Sequence, residues 1–265
     1  MLTLKNISKT FNPGTVNEKK VLDRFNLHLA PGEFVTMIGS NGAGKSTVMN
    51  AIAGSFLVDA GHILLDGQEI TFWKDYRRAK LIGRLFQDPM SGTAPSMTLL
   101  ENLSLAYLRN EHGASPFGLS GADRAYLRER LASLGLGLED RMDSRVGLLS
   151  GGQRQALTLL MATLVTPKLL LLDEHTAALD PATGEKVLAL TRAICAEHQL
   201  TCMVITHNIR SALELGSRTI MMDDGRIVLD LSGEEREKMT VPTLLERFRQ
   251  AANRELDNDR MLLDK

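Results

Sequence analysis

The stretch that decides the fold lies at residues 39–47 and reads Gly39-Ser40-Asn41-Gly42-Ala43-Gly44-Lys45-Ser46-Thr47. It fits the pattern G-x4-G-K-S, in which glycines let backbone N–H groups approach phosphate oxygens. Lys45 supplies a cation for the terminal phosphates, and the Ser46 hydroxyl is a ligand for Mg²⁺. The apolar segment 34–39 predicts a strand before the loop, and 45–54 predicts a helix after it, whose N-terminus favours anions. The stretch therefore predicts a nucleoside triphosphate site.

Two carboxylates follow a run of four leucines at 169–172. A short apolar run of this kind predicts a parallel strand buried on both faces, and ligands bind beyond the carboxyl ends of such strands. Asp173 is expected to hold Mg²⁺ through water, and Glu174 to activate or orient a water in line with the γ-phosphate. The alternative for either acid alone is a helix cap or a surface charge.

The remaining pattern predicts an α/β fold, because apolar strands alternate with helices in a way typical of a mostly parallel sheet. A small antiparallel sheet is expected near the N-terminus, and a hairpin with its turn at Asp224 and Gly225 near the other end. The predicted strands are 1–11, 21–30, 34–39, 62–70, 81–86, 169–172, 202–206 and the hairpin 220–229. The predicted helices are 45–54, two segments within 97–135 separated at 113–116, then 153–165 and 181–198.

We predict a single ATPase domain over residues 1–265. Its catalytic core covers 1–96 and 154–230, an inserted helical subdomain covers 97–153, and a charged helical tail covers 231–265.

Composition narrows the function. The 265 residues carry a formal net charge of −1, and without a Lys/Arg-rich block the sequence gives no indication of nucleic-acid binding. No apolar run approaches the roughly 20 residues that span a bilayer, and residues 1–5 do not begin a signal-peptide pattern. Cys195 and Cys202 are not in a C-x-x-C pair, which favours two reduced thiols. A cytoplasmic location is expected.

A second motif, Leu149-Ser150-Gly151-Gly152-Gln153, follows the phosphate loop in the chain. Together with the acidic pair, in this order, these motifs make residues 1–230 resemble the ATP-binding subunit of ABC transporters. The resemblance implies that Ser150, Gly151, Gly152 and Gln153 form a signature loop that contacts the γ-phosphate of nucleotide on a partner subunit. It also implies that Asp180 belongs to a D-loop crossing the seam between the two subunits.

The same resemblance assigns roles to three further residues. Gln87 is expected to sense Mg²⁺ and the membrane partner, and His207 to be a catalytic switch residue that contacts the γ-phosphate. Phe11 is expected to stack on adenine. A helix-capping role is the alternative for His207, and simple packing is the alternative for Phe11.

Two positions depart from the family pattern or imitate it. His175 stands where the family usually has proline, which changes the stiffness of the loop but removes no liganding group. Leu119-Ser120-Gly121 imitates the start of a signature loop but lacks the second glycine and the glutamine. Ser120 is therefore expected to cap a helix that begins there.

The resemblance implies a function as well. Two copies, or a pair of related subunits, would close around ATP and Mg²⁺ and drive separate membrane permease subunits, with a solute-binding protein as an indirect partner. The chain would sit peripherally on the inner face of the cell membrane and power uptake of a small solute such as an amino acid. The alternative is a soluble ABC ATPase of an assembly system, of the iron–sulfur type, with no permease. A DNA-repair or translation ATPase is disfavoured by the size and the neutral charge.

The segment after Gln87 distinguishes a transporter subunit from a soluble assembly ATPase. It is rich in small and apolar residues, and Met90, Met97 and Leu100 are candidates for a permease-docking surface. Their alternative is the core of the helical subdomain.

Overall fold

The computed structural model describes residues 1–109 and 119–252. Its strands are Leu2–Phe11 (β1), Lys19–Leu29 (β2), Phe34–Gly39 (β3), Ala60–Leu65 (β4), Gln68–Glu69 (β5), Ile82–Leu85 (β6), Leu169–Asp173 (β7), Thr201–Ile205 (β8), Arg218–Asp223 (β9) and Arg226–Ser232 (β10). Its α-helices are Lys45–Ala53 (α1), Asp75–Arg78 (α2), Leu99–Leu108 (α3), Gly121–Ala132 (α4), Gly151–Thr163 (α5), Pro181–Glu197 (α6), Ile209–Glu214 (α7), Gly233–Glu237 (α8) and Val241–Ala252 (α9).

The larger sheet is mostly parallel, as the sequence predicts. Its strand order is β10-β9-β3-β8-β7-β6, and only β10 runs antiparallel to its neighbour. The four leucines of β7 are fully buried. Leu169 and Leu171 join the apolar cluster on one face of the sheet, whereas Leu170 and Leu172 join the cluster on the other face. An uninterrupted apolar run is therefore what this position requires.

The smaller sheet is antiparallel, with strand order β2-β1-β4-β5. It confirms the predicted N-terminal sheet, although the single strand predicted at 62–70 is wrong. The chain turns at Asp66 and Gly67, both with positive φ, and Gln68 pairs back with Leu65. Aspartate followed by glycine tolerates the left-handed backbone of a tight hairpin. The turn at these two residues therefore divides the predicted strand into β4 and β5. The turn predicted at Asp224 and Gly225 is confirmed by positive φ at both residues between β9 and β10.

The helical region has an apolar core of its own, built from α3, α4, α5 and the segment between α4 and α5. Helix α4 is capped by Ser120, whose hydroxyl accepts a hydrogen bond from the Asp123 N–H (3.1 Å), so the predicted capping role of Ser120 is confirmed. Helix α5 joins the two parts, because Leu157 and Leu160 face the helical core while Leu159 faces the sheet. The boundary predicted between 153 and 154 thus falls within α5. The predicted break at 113–116 lies outside the described residues.

The sequence analysis did not predict two short helices, α2 and α7. The tail is helical where the structure describes it, in α8 and α9. In α9, Leu244 and Phe248 are buried in a cluster that includes Ile38 of β3. The first part of the tail therefore packs onto the catalytic sheet.

Arg78 ties α2 to the end of α1. It is 1% exposed, and its guanidinium donates hydrogen bonds to the carbonyl oxygens of Ala51 (2.6 Å), Ile52 (2.9 Å), Thr71 (2.8 Å) and Trp73 (3.1 Å). Burial lowers the pKa of Arg78. The interaction satisfies carbonyl groups that the end of α1 would otherwise leave without partners.

We expect Arg78→Ala to lower the free energy of unfolding by about 3 kcal/mol, because it leaves several buried carbonyl groups unsatisfied. Urea unfolding would measure this cost. Arg77→Ala is the matched control: Arg77 is exposed and stacks on Trp73, with 4.5 Å between the guanidinium carbon and the ring centroid. An equal loss in both variants would contradict the assignment.

Candidate functional site

The phosphate loop is braced by the β9–β10 hairpin. Gly39 has φ 149°, and a β-carbon there would lie 2.1 Å from the Met222 carbonyl oxygen, so only glycine fits. The Gly225 N–H donates to the Ala43 carbonyl (3.0 Å), and the Ser40 hydroxyl donates to Asp223 (3.1 Å). The loop is therefore shaped by contacts distant in sequence as well as by its own glycines.

Lys45 lies inside the loop that it closes. Its residue is 6% exposed, and Nζ donates to the carbonyl oxygens of Gly39 (2.7 Å) and Ser40 (3.0 Å). Lys45 is also the first residue of α1, so its ammonium and the positive end of the helix dipole act on the same small volume. This arrangement favours a polyphosphate anion.

Glu174 and His207 come together at the ends of neighbouring strands. The parallel register pairs Asp173 with Ile205, and the Glu174 N–H donates to the Ile205 carbonyl (2.9 Å). Glu174 has φ 46°, an uncommon conformation for a glutamate, and its carboxylate contacts His207 Nε2. Within the described chain, His207 Nδ1 is buried without a hydrogen-bond partner. The strained backbone aims the carboxylate toward the histidine.

The two carboxyl groups respond to burial. Burial raises the pKa of Asp173, and this rise is opposed by the charges of Arg84, Lys45 and His207. Burial also raises the pKa of Glu174, against the charge of His207. The site thus holds two acids whose pKa values burial raises despite the nearby cations, and perturbed acids of this kind are typical of a functional site.

A cavity of about 240 Å³ lies between the phosphate loop, Glu174 and His207. Its lining consists of Lys19, Val21, Asn41, Gly42, Ala43, Gly44, Lys45, Ser46, Thr47, Glu174 and His207. Most of the predicted phosphate-loop residues and both predicted catalytic residues are therefore assembled around one space. Lys19 and Val21 were not predicted, although their i, i+2 spacing on β2 places them on one face and could have indicated them.

Five predicted ligand residues are absent from this lining: Phe11, Gly39, Ser40, Gln87 and Asp173. Phe11 packs edge-on against Phe56, with ring centroids 5.3 Å apart and an interplanar angle of 83°. Gln87 is exposed in the segment that follows β6. Adenine stacking by Phe11 and metal sensing by Gln87 both remain predictions.

The signature loop forms the start of α5. The Ser150 hydroxyl accepts from the Gln153 N–H (3.3 Å), and Gln153 Oε1 accepts from the Ser150 N–H (3.1 Å). Gly152 lies so near α6 that a β-carbon there would be 2.1 Å from Thr183 Cγ2. Asp180 caps α6 by accepting from the Thr183 N–H (3.0 Å), and these hydrogen bonds lower the pKa of Asp180. The two loops are thus packed together, outside the lining of the nucleotide cavity.

His175 is buried and contacts α6. It is 3% exposed, and Nε2 lies 3.2 Å from the Thr191 hydroxyl, which itself donates to the Val187 carbonyl (2.8 Å). A hydroxyl that already donates must accept from Nε2–H, which fixes the tautomer of the imidazole. Burial lowers the pKa of His175 from its ordinary value of 6.5 to about 4.

Comparisons with known proteins agree with this geometry. A sequence profile described as ABC transporter matches residues 22–177. The chain is 43% identical over 251 residues to a tyrosine transport ATP-binding protein of Clostridioides difficile (strain R20291), covering 95% of this chain and 100% of that protein. It is 36% identical over 207 residues to a thiamine import ATP-binding protein of Yersinia pseudotuberculosis serotype I (strain IP32953), covering 78% and 82%.

The fold is also shared. An ATP-binding cassette solved as a post-hydrolysis dimer with ADP and Pi superposes with a TM-score of 0.75 at 32% identity, covering 88% of this chain and 98% of that one. The chain belongs to the ABC transporter family and is an ATP-binding ATPase of that family. Among the described helices, none is both long and apolar enough to cross a bilayer.

The pKa of His175 predicts a pH dependence of stability. The unfolded chain takes up the proton first, near pH 6.5, so stability falls as pH drops from 6.5 toward 4. From pH 7 to pH 5, this residue should lower the free energy of unfolding by about 2 kcal/mol. Urea titrations of the native chain and of His175→Gln at both pH values would show it. The variant should lose less stability on acidification; identical losses would contradict the buried neutral imidazole.

Proposed function

We propose that this chain hydrolyses ATP to power the uptake of a small solute through separate permease subunits. The observation that carries the proposal is the contact of Glu174 with His207 beside the loop that encloses Lys45. The names of relatives similar along most of this chain, which refer to tyrosine transport and thiamine import, support the transport role. They give no support to a soluble assembly ATPase.

The side chains divide the chemistry between them. Backbone N–H groups of the phosphate loop, together with Lys45, bind and neutralise the phosphates. The Ser46 hydroxyl and the Asp173 carboxylate are oxygen donors of the kind that Mg²⁺ accepts, with Gln87 as a further candidate. When bound, Mg²⁺ would neutralise charge on the phosphates. Glu174 orients or deprotonates the attacking water, and His207, whose Nε2 contacts Glu174 here, would donate to the γ-phosphate when nucleotide is bound.

A second copy of the chain would complete the site. Ser150, Gly151, Gly152, Gln153 and Asp180 lie outside the lining of their own chain's nucleotide cavity. The N-terminus of α5 carries backbone donors suited to an anion, since it starts with two glycines after the Ser150 cap. Two chains arranged head to tail would bring this end to the γ-phosphate of the partner. The similar cassette solved as a dimer with ADP and Pi supports dimerisation.

The permease would dock at a cleft between the sheet and the helical region. This cleft has a volume of about 410 Å³, and Leu105, which is 59% exposed, is one of its lining residues. Arg84 and Arg109 also line it, and the Nε atom of each is buried without a hydrogen-bond partner in the described chain. Met90, in the segment after Gln87, is 41% exposed. Leu100 instead packs against the apolar core of the helical region, which was the alternative to permease docking for this residue.

The solute is proposed from similarity alone. The 43% identity to a tyrosine transport subunit favours an amino acid, with tyrosine as the first solute to test. A solute-binding protein would be an indirect partner, and docking on a permease would place the chain on the inner face of the membrane.

We expect Glu174→Gln to bind ATP with near-native affinity but to hydrolyse it at least about 100-fold more slowly, because the amide cannot accept the proton of the water. In saturating ATP and Mg²⁺ the stalled chain should dimerise, which size-exclusion chromatography with light scattering would detect. Adding Ser150→Arg should abolish the dimer through a clash at the seam. A double variant that dimerises as well as Glu174→Gln would rule out the signature loop as the contact.

A second expectation concerns the cleft. Leu105→Glu should leave ATP binding intact but reduce the fraction of the chain that co-purifies with detergent-solubilised permease, because a buried carboxylate would replace an apolar contact. The matched control is Ala125→Glu, an exposed helical position that lines neither cavity. Equal recovery of both variants with the permease would place docking elsewhere.

A further inference from the structure

Lys19 is a cation beside the phosphate loop with no role in the family motifs described above. It lines the same cavity as Lys45, and a β-carbon built on Gly42 would lie 4.0 Å from Lys19 Nζ. Lys19 is exposed, and within the described part of the chain it forms no ion pair. Its ammonium therefore remains available to an anion that enters the cavity.

The strand places this side chain and its neighbour on opposite faces. Residues two apart on a strand share a face, so Lys19 and Val21 both face the loop and both line the cavity. Lys20 has the opposite orientation and pairs with Asp23, with 2.7 Å between Nζ and Oδ1. The chain therefore offers two adjacent lysines, of which only one faces the nucleotide.

The register also locates Lys19 along a bound nucleotide. In the β1–β2 ladder Lys19 is the partner of Phe11, the predicted adenine-stacking residue. Its ammonium is near Gly42, whereas Lys45 contacts the carbonyls of Gly39 and Ser40, next to Glu174 and His207 in the cavity. Lys19 thus lies between the expected base and the reacting end of the triphosphate.

We propose that Lys19 is a second phosphate-binding cation, which contacts the α- and β-phosphates and leaves the γ-phosphate to Lys45. The proposal rests on the ATP-binding function proposed above and adds a residue to it. An ammonium on an exposed strand end binds as a point charge, and its contribution is moderated by solvent. Since ATP and ADP share these two phosphates, Lys19 should strengthen the binding of both by the same factor.

The test is nucleotide binding to the full chain, measured by competition against a fluorescent ATP analogue. In Lys19→Met the Kd values for ATP and ADP should both rise about fivefold, while that for adenosine should not change. Lys19→Arg should restore most of the affinity, because the charge is kept. Lys20→Met, the adjacent control, should bind all three ligands as the native chain does.

Two results would overturn the proposal: a Kd for ATP in Lys19→Met within about twofold of the native value, which lies inside ordinary surface-charge effects, or an equal weakening for adenosine. Lys45→Ala separates this failure from failure of the proposed function. If Lys45→Ala weakens ATP binding strongly while Lys19→Met does not, only the role of Lys19 is wrong. If neither variant affects ATP, the phosphate site itself is wrong, and the proposal for Lys19 is overturned with it.

Discussion

The parallel pairing of β3, β8 and β7 is the constraint on which the rest of the site depends. It brings three chain segments to one edge of the sheet: the phosphate loop after β3, His207 after β8, and Asp173 with Glu174 at the end of β7. Each segment is distant from the others in sequence, and none could form the site alone. The burial of β7 on both faces resists a shift of register, since a slip of one residue would exchange the faces of all its leucines.

Much of this could be predicted from the sequence because the decisive motifs are local. The glycines, Lys45 and Ser46 of the phosphate loop occur in one short stretch, and the leucine run followed by two acids identifies β7. The antiparallel hairpin at Asp224 and Gly225 could also be predicted from the sequence, because both residue types accept positive φ. Contacts between segments that are distant in the chain could not be predicted from the sequence. The fit of Gly39 against Met222 and the four carbonyls around Arg78 are of that kind.

The elements that the sequence analysis missed or placed wrongly each have a physical cause. Helices α2 and α7 are too short to show a helical period, so only tertiary contacts reveal them. The strand predicted at 62–70 spans a tight turn that apolar alternation conceals. Helix α5 begins at Gly151, two residues before its predicted start, because Ser150 and Gln153 form a capping box that tolerates glycine in the first turn.

In the proposed dimer, the phosphate loop of one chain and the signature loop of the other form each nucleotide site. Mixing two inactive chains, one with Lys45→Ala and one with Ser150→Arg, tests this arrangement most directly. A homodimer of the Ser150→Arg chain would carry two clashes, whereas a mixed dimer would carry one, at the site that also holds Lys45→Ala. The other site of the mixed dimer would have an intact phosphate loop and an intact signature loop, and each chain alone would have no such site. We expect the ATPase activity of the mixture to exceed the sum of the two separate activities. Activity equal to that sum at every mixing ratio would contradict the arrangement.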